Sequence, residues 1–213
     1  MTFVDQVHGA DVVRVGRSPA GSGAGGPARG DGMVTEIAGI PLVILTADCL
    51  PIILADPGHK VVAAVHAGWR GTFEMIAANA VKVMVDAGAD PAAIEARFGP
   101  YIGGCCYEVG EDLYARFAEK FALPAAPVKP SLDLGRLNRS ILIESGVRPQ
   151  GIKAVGLCTR DDPGLFYSWR RDGVTGRQAA VAAIMTPAFQ TNRLSKHGLS
   201  NQSQNPGVSR QFG

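Results

Sequence analysis

The sequence has few cysteines, almost no net charge and no long uninterrupted apolar run, and each shortage excludes a class of protein. Four cysteines among 213 residues are too few for a disulfide scaffold, and the first residues, MTFVDQVHG, lack the pattern of a signal peptide, so we expect free thiols and a cytoplasmic location. A formal net charge of +2 offers no basic field for nucleic acid. The longest apolar stretch, IPLVILTADCLPIILADP, is interrupted by Asp48 and is unsuited to crossing a bilayer. We therefore expect no nucleic-acid or membrane partner, while the oligomeric state stays open.

What is present is a large apolar fraction, 46% of the residues, which suits the core of one domain. We place this single domain at 1–185 and predict that the polar, irregular segment 186–213 is a disordered tail. The apolar patterns predict strands within 3–15 (two short ones) and at 39–48, 50–56, 59–68, 94–100 and 151–159, and a final strand or helix at 178–185. They predict helices from a cap at Thr72 to about Asp86, over 111–121 and over 132–146.

These elements mix without regular strand–helix alternation, which favours an α+β fold over a doubly wound sheet. The loop 16–32 contains a G-x-G-x-x-G pattern at Gly21, Gly23 and Gly26. A dinucleotide site would need a helix to begin there, but Pro27 and further glycines follow. We therefore interpret the segment as a flexible loop.

Two histidines and one cysteine stand at the ends of apolar strands. His8 and His66 are each followed by small residues that admit a ligand, and Cys49 ends the run TADC. Two imidazoles and a thiolate suit zinc with one open coordination position. The alternative is two strand-end histidines and a buried thiol. His59 and His197 lie in a turn and in the tail, where we expect them to be solvated.

Arginines and adjacent cysteines are the other candidates for chemistry. Arg70 lies four residues after His66, and Arg170, Arg171 and Arg177 follow in SWRRDGVTGR. Their guanidinium groups match phosphate or carboxylate geometry, although ordinary surface ion pairs are the competing interpretation. Cys105 or Cys106 could act as a nucleophile, but no neighbouring residue supplies an obvious base.

Five segments in this order resemble the laccase-domain family: QVHGADVV, TADCLPIILAD, VAAVHAGWRGT, GPYIGGCCYEVG and FYSWRRDGVTGR. Members of this family, of the YfiH/YlmD type, are described as multicopper polyphenol oxidases and as purine nucleoside phosphorylases. The resemblance covers about Gln6 to Met185. It implies a four-layer α/β/β/α sandwich with mixed sheets. Family members carry a longer segment before QVHG, so we expect that an N-terminal lead is missing here.

The resemblance also implies a metal site, usually zinc, on His8, Cys49 and His66. Copper is a second possible metal for this ligand set. The implied activity is phosphorolysis of purine nucleosides with inorganic phosphate, accompanied by adenosine deamination. Arg70, Cys106 and Asp48 are the candidate catalytic residues.

Arg70, Arg170 and Arg171 are the candidate phosphate-binding residues. Three other functions remain as alternatives. A copper phenol oxidase would use the same metal ligands, but two well-placed histidines are too few for a multicopper cluster. A cysteine hydrolase would pair Cys106 with His66, and a metal on His66 would remove that base. The last is a metal-stabilised interaction module without activity.

Overall fold

The computed structural model describes residues 1–16 and 26–185, and all of its strands except the one at Gly32–Thr35 lie within runs that predict them. The strands of the described residues are β1 (Val12–Arg14), β2 (Gly32–Thr35), β3 (Leu42–Thr46), β4 (Leu50–Asp56), β5 (Val61–Ala67), β6 (Glu95–Phe98), β7 (Ile152–Ala154) and β8 (Gln178–Ala182). The segment predicted as a final strand or helix thus contains a strand, which ends at Ala182. The predicted tail, together with Gly21 and Gly23 of the G-x-G-x-x-G pattern, lies outside the described residues.

Two strand predictions differ most from the structure. Of the two strands expected within 3–15, only β1 forms, and Asp5 contributes a single bridge to Arg29. The strand expected over 151–159 ends at Ala154, since Gly156 turns the chain with a φ of +75°. This positive φ is open to glycine at little cost, and it ends the pairing.

The helices are α1 (Trp69–Phe73), α2 (Ile76–Asp86), α3 (Glu111–Phe121), α4 (Leu134–Glu144) and α5 (Trp169–Asp172). The prediction that Thr72 caps one continuous helix is wrong, because Met75, with a φ of +66°, separates α1 from α2. Thr72 is instead buried within α1, and its hydroxyl accepts a hydrogen bond from Asn138 Nδ2 at 2.9 Å. Within the described part of the chain, no helix combines the length and apolar character needed to cross a membrane.

Six strands form a mixed sheet in the order β1-β2-β5-β4-β6-β7, and β3 pairs with β8 in a separate two-stranded sheet. β5 lies between β2 and β4 and runs antiparallel to both. It is buried along its whole length, which explains its continuous apolar run. Consequently the C-terminal end of β5 lies beside the N-terminal ends of β2 and β4.

The large sheet is covered on both faces. One face packs against α2 and α4, and the other packs against the β3–β8 pair through a second apolar cluster. These layers confirm the α+β class with a mixed sheet. The fourth layer stays a prediction, because Leu45 and Val181 on the outer face of the β3–β8 pair are exposed in the described structure.

Candidate metal centre and its cleft

Three chain segments meet at one edge of the large sheet, where β5 ends. Asp31 directly precedes β2, Cys49 directly precedes β4, and His66 is the penultimate residue of β5. Antiparallel pairing brings these positions together, and the backbone N–H of His66 donates to the Asp31 carbonyl at 2.7 Å. The sheet topology therefore assembles residues that lie far apart in sequence.

Asp31 fixes the loop that carries His8. Its fully buried carboxylate accepts hydrogen bonds from the backbone N–H groups of Val7 (3.2 Å), His8 (3.0 Å) and Gly9 (2.7 Å). His8 adopts a φ of +61°, a left-handed conformation that is uncommon outside glycine. The three bonds to one carboxylate hold this loop in place and direct His8 toward the end of β5.

The same carboxylate orients the second histidine. His66 Nδ1 lies 2.7 Å from Asp31 Oδ1, and both side chains are buried. An imidazole held through Nδ1 presents Nε2 to a ligand, which is the usual carboxylate–histidine arrangement beside a metal. Asp31 is thus a positioning residue for both histidines.

The structure brings His8, Cys49 and His66 together: one ligand atom from each lies within 4.8 Å of the others. The two imidazole rings meet edge to face, with centroids 4.8 Å apart. Zinc bonded to nitrogen and sulfur at its usual lengths would set such atoms about 3.5 Å apart, so a small contraction suffices. Gly68 makes the approach possible, because a Cβ there would lie 3.1 Å from Cys49 Sγ.

The protonation equilibria of the site also suit a cation. Burial alone would raise the pKa of Cys49, but hydrogen bonds and charge from His66 and His8 outweigh it and lower the pKa to about 7. Burial disfavours the charged form of His66, whereas Asp31 and Cys49 stabilise it and raise its pKa to about 9. A thiolate is therefore accessible at neutral pH, as a metal ligand requires, and a metal ion would displace the proton that His66 carries at that pH. These donors fit zinc, and His2Cys also suits copper.

The trio opens into a cleft of about 690 Å³ that is rich in arginine and aromatic side chains. His66 is buried at its inner end and His8 is exposed, so the open side of the trio faces the cleft. Arg70, Arg170 and Arg177 line the walls together with Trp69, Tyr107 and Trp169. The cleft therefore offers positive charge and flat apolar surface beside the candidate metal site.

Arg70 is the arginine best placed for an anion. Its guanidinium stacks over the Trp69 ring at 4.3 Å, and no carboxylate or carbonyl of the described residues pairs with it. Arg170 lies over the Tyr107 ring at 5.2 Å and donates once to the Glu108 carbonyl at 2.7 Å, which leaves further N–H groups. Stacking holds both guanidinium groups without using up their donors.

Arg171 is placed differently from Arg70 and Arg170. It forms an ion pair with Asp172 and donates to the carbonyls of Thr159, Arg160 and Phe166. It does not line the cleft. Its guanidinium organises the loop after β7, so the geometry does not support the phosphate-binding role predicted for it, and Arg177 lines the cleft in its place.

Asp48 joins the metal loop to the opposite wall. Its Oδ1 accepts from the Thr159 hydroxyl at 2.6 Å, and its Oδ2 accepts from the Arg170 backbone N–H at 2.7 Å. Asp48 itself has a φ of +86°. These bonds hold a strained residue next to Cys49 and position Arg170, and its predicted catalytic role stays a prediction.

Cys106 lies in a separate cluster with Cys105, Cys158 and Asp161. Its Sγ lies 3.0 Å from Cys105 Sγ and 3.1 Å from Asp161 Oδ1, and no hydrogen bond to His66 occurs in the described residues. The bond with Cys105 lowers the pKa of Cys106, but burial and Asp161 outweigh it and raise the pKa above its usual value. This environment does not favour a thiolate nucleophile, and His66 is committed to Asp31.

Sequence reasoning missed Asp31, Tyr107 and Trp169. The sequence pattern places Asp31 in a flexible loop, and its contact with His66 spans 35 residues. Its position directly before a buried strand was the available signal. Burial chiefly raises the pKa of Tyr107, to about 12, so this phenol stays protonated and can donate a hydrogen bond in the cleft.

Known proteins resemble this chain in sequence and in fold. The family model of the multi-copper polyphenol oxidoreductase laccase matches residues 1–185. A purine nucleoside phosphorylase of Xylella fastidiosa is 39% identical over an alignment of 188 residues, which covers 85% of this chain and 71% of the relative. An adenosine deaminase named RL5, of an unknown prokaryotic organism, is 38% identical over 68% of this chain and 58% of its own length. The crystal structure of YlmD from Geobacillus stearothermophilus superposes with a TM-score of 0.78 and 36% identity, covering 87% of this chain and 73% of that one.

The fold and the cleft are those of an α+β protein with a candidate metal centre at one sheet edge. The chain belongs to the multi-copper polyphenol oxidoreductase laccase family, which also contains the YlmD-type proteins. This confirms the family expected from the five sequence segments. Relatives named purine nucleoside phosphorylase and adenosine deaminase support an enzyme of this kind.

Proposed function

We propose that the protein is a metal-dependent purine nucleoside phosphorylase that also deaminates adenosine. In phosphorolysis, a phosphate oxygen bonds to C1′ of the ribose as the bond to the purine nitrogen breaks. The products are the free base and ribose 1-phosphate. The observation that carries the proposal is that His8, Cys49 and His66 share one cleft with Arg70 and Arg170.

The arginines of the cleft would bind the phosphate. Arg70 and Arg170 sit on the aromatic rings of Trp69 and Tyr107 with N–H groups to spare, so an anion between them would receive several charge-assisted hydrogen bonds. The nucleophile would be held beside a ribose carbon that gains positive charge in the transition state. Arg177 adds a third positive group to the same cleft.

The aromatic side chains suit a purine. Trp69 and Trp169 provide flat apolar surface, and Tyr107 remains a protonated donor at neutral pH. A hydrogen bond from Tyr107 to the departing base would stabilise the negative charge that develops on it.

His8, Cys49 and His66 would hold zinc, with Asp31 fixing both histidines. When bound, zinc lowers the pKa of water and polarises substrate oxygens, which is the chemistry that deamination of adenosine requires. Asp48 acts by positioning Cys49 and Arg170.

Copper-dependent phenol oxidation is the second candidate, favoured by the His2Cys donor set and by the family description. A multicopper cluster needs further histidines. His59 is bonded to Asp56 at the opposite end of β5, about 20 Å away at the rise of an extended strand. The described residues therefore offer one histidine pair to a metal at this site.

Product analysis tests the proposal. Purified protein with adenosine or inosine should release free base and ribose 1-phosphate only when phosphate is added, and adenosine alone should yield inosine. Arg70→Ala should reduce the phosphate-dependent reaction, whereas His59→Ala, which changes a histidine outside the cleft, should not. Turnover of phenols with oxygen, and none of nucleosides, would assign the oxidase instead.

A further inference from the structure

A second group of metal-ligating side chains lies outside the cleft. Cys105, Cys106, Cys158 and Asp161 each place one ligand atom within 4.8 Å of the others. Three thiols and one carboxylate are four donors, the number and type that close a tetrahedral structural zinc site. Neither the phosphorolysis nor the deamination proposed above uses these residues.

Two turns build the cluster from opposite loops. The first carries Cys105 and Cys106, and its backbone is closed by bonds from the N–H groups of Cys106 (2.9 Å) and Tyr107 (3.0 Å) to the Gly103 carbonyl. The second carries Cys158 and Asp161, where the Asp161 N–H donates to the Cys158 carbonyl at 3.3 Å. Both turns are fixed by backbone bonds, so the four side chains converge without a ligand.

The two turns are also paired with each other. Tyr101 and Cys158 form a β-bridge, and the Thr159 N–H donates to the Tyr101 carbonyl at 3.0 Å. The Gly103 N–H donates to Cys158 Sγ at 3.3 Å, a bond that stabilises a thiolate. The register between the loops is therefore set, and it brings the Cys158 sulfur to the Gly103 turn.

Two adjacent glycines allow this close approach. A Cβ on Gly103 would lie 3.2 Å from Cys105 Sγ, and a Cβ on Gly104 would lie 3.1 Å from Asp133 Cβ. Side chains here would push the turn away from its neighbours. Gly103 therefore leaves room for the cysteine sulfur, and Gly104 lets the turn approach Asp133.

The sulfur and oxygen atoms already form one connected group. Cys105 and Cys106 lie 3.0 Å apart at their sulfurs, and both contact the Asp161 carboxylate, at 3.6 and 3.1 Å. Arg160 lies next to Cys106 and would offset part of the negative charge of three thiolates and a carboxylate. Cys105 and Asp161 are exposed, which leaves an entry path for an ion.

We propose that Cys105, Cys106, Cys158 and Asp161 bind a second zinc ion, which has a structural role. Binding would replace the thiol protons, which leave to solvent, by bonds from three sulfurs and one carboxylate oxygen to the ion. No position remains open for substrate in a four-ligand tetrahedral site, so the ion stabilises the fold and takes no part in turnover.

Such an ion would brace one wall of the cleft. Tyr107 follows Cys106 directly and lines the cleft, and Thr159 follows Cys158 and donates to Asp48 beside Cys49. Joining the two turns through one ion would therefore hold both Tyr107 and the Asp48 network in place. We expect removal of this ion to lower the melting temperature of the protein.

Metal counting on the full chain tests the proposal, with the two sites as reciprocal controls. Metal-free, reduced protein is titrated with Zn²⁺ against a chromophoric chelator, and we expect two ions per chain. The double variant Cys105→Ser/Cys158→Ser should retain only the ion in the cleft, and Cys49→Ser should retain only the second ion. Asp161→Asn should lower the affinity for the second ion, whereas Asp162→Asn, one residue along the same loop, should leave that affinity unchanged.

Cobalt titration of the wild-type chain gives an answer that does not depend on folded variants. Thiolate-to-cobalt charge transfer scales with the number of sulfur ligands, so a three-sulfur site should give about three times the near-ultraviolet band of a one-sulfur site. Two binding phases with these unequal intensities support the proposal. A single ion per chain with a one-sulfur spectrum, or a disulfide among Cys105, Cys106 and Cys158 in protein prepared under reducing conditions, would overturn it. Because this experiment measures bound metal and not turnover, its result does not depend on whether nucleosides are substrates.

Discussion

Replacing Asp31 by asparagine should damage the candidate metal centre although Asp31 is not itself one of the three ligands. Its carboxylate serves four donors: the N–H groups of Val7, His8 and Gly9, and His66 Nδ1. Asparagine keeps one side-chain oxygen. In place of the other oxygen it has an NH2 group, which cannot accept the two hydrogen bonds that this oxygen accepted. A buried polar group left unpaired costs about 1–3 kcal/mol, so two such losses give about 2–6 kcal/mol.

The change should therefore show in two measurements. Urea unfolding of the metal-free protein should report a lower free energy of unfolding by that amount. Zinc affinity, measured by chelator competition, should fall about 10- to 100-fold, the usual effect of losing the partner of a metal-bound histidine. Asp11→Asn is the matched control, because its exposed side chain makes no hydrogen bond in the described structure. A folded Asp31→Asn variant with wild-type zinc affinity would refute this role for Asp31.

Three further changes have defined outcomes. Arg70→Ala removes a charge-assisted contact worth about 1.5–3 kcal/mol, so the KM for phosphate should rise about 10- to 150-fold while zinc affinity holds; equal losses of both would make Arg70 structural. Gly71→Ala would place a Cβ 2.7 Å from the Gly9 carbonyl oxygen, so zinc affinity should fall, and unchanged affinity would show that the loop yields freely. Asp56→Asn should weaken the pH dependence of stability below about pH 4. Burial raises the pKa of Asp56, but N–H donors from Asp90 and His59 lower it overall. The ionised Asp56 carboxylate therefore stabilises the folded protein fully above the unfolded pKa of 3.8. This stabilisation is lost as the pH falls through the lower pKa of the folded state. An acid-unfolding curve identical to wild type would contradict this.

The sequence was most informative for β5, because the local pattern of this strand indicates both its burial and the site at its end. The continuous apolar run of β5 predicts a buried strand, and the abrupt change to His66 and two glycines marks a site at its end. Helices α3 and α4 followed from their apolar periodicity. Such features are local, so a single sequence contains them.

The relations between segments were harder to see. Asp31 contacts His66 across 35 residues, and Cys106 contacts Asp161 across 55. Nothing in the local pattern at either end specifies these partners, because sheet pairing brings them together. The break at Met75 was missed for a related reason: α1 and α2 share an apolar pattern, and only the positive φ of Met75 separates them.

Arg171 illustrates the limit of residue type as a guide to role. Arg170 and Arg171 are neighbours with the same side chain, and both suit phosphate. The single turn of α5 sends Arg170 over Tyr107 and leaves Arg171 bonded to Asp172 and the carbonyls of its own loop. That separation is set by a four-residue helix, which is too short to show a periodic pattern.

Catalysis by the proposed enzyme would depend on a metal held by His8, Cys49 and His66. The most direct measurement strips the protein with a chelator, returns Zn²⁺ stepwise and follows ribose 1-phosphate formation from inosine and phosphate. We expect no turnover in stripped wild-type protein, recovery as zinc returns, and the same recovery in His59→Ala. Cys49→Ser should stay inactive at every zinc level that restores the wild type. Full turnover by the stripped protein, or by folded Cys49→Ser, would contradict the account.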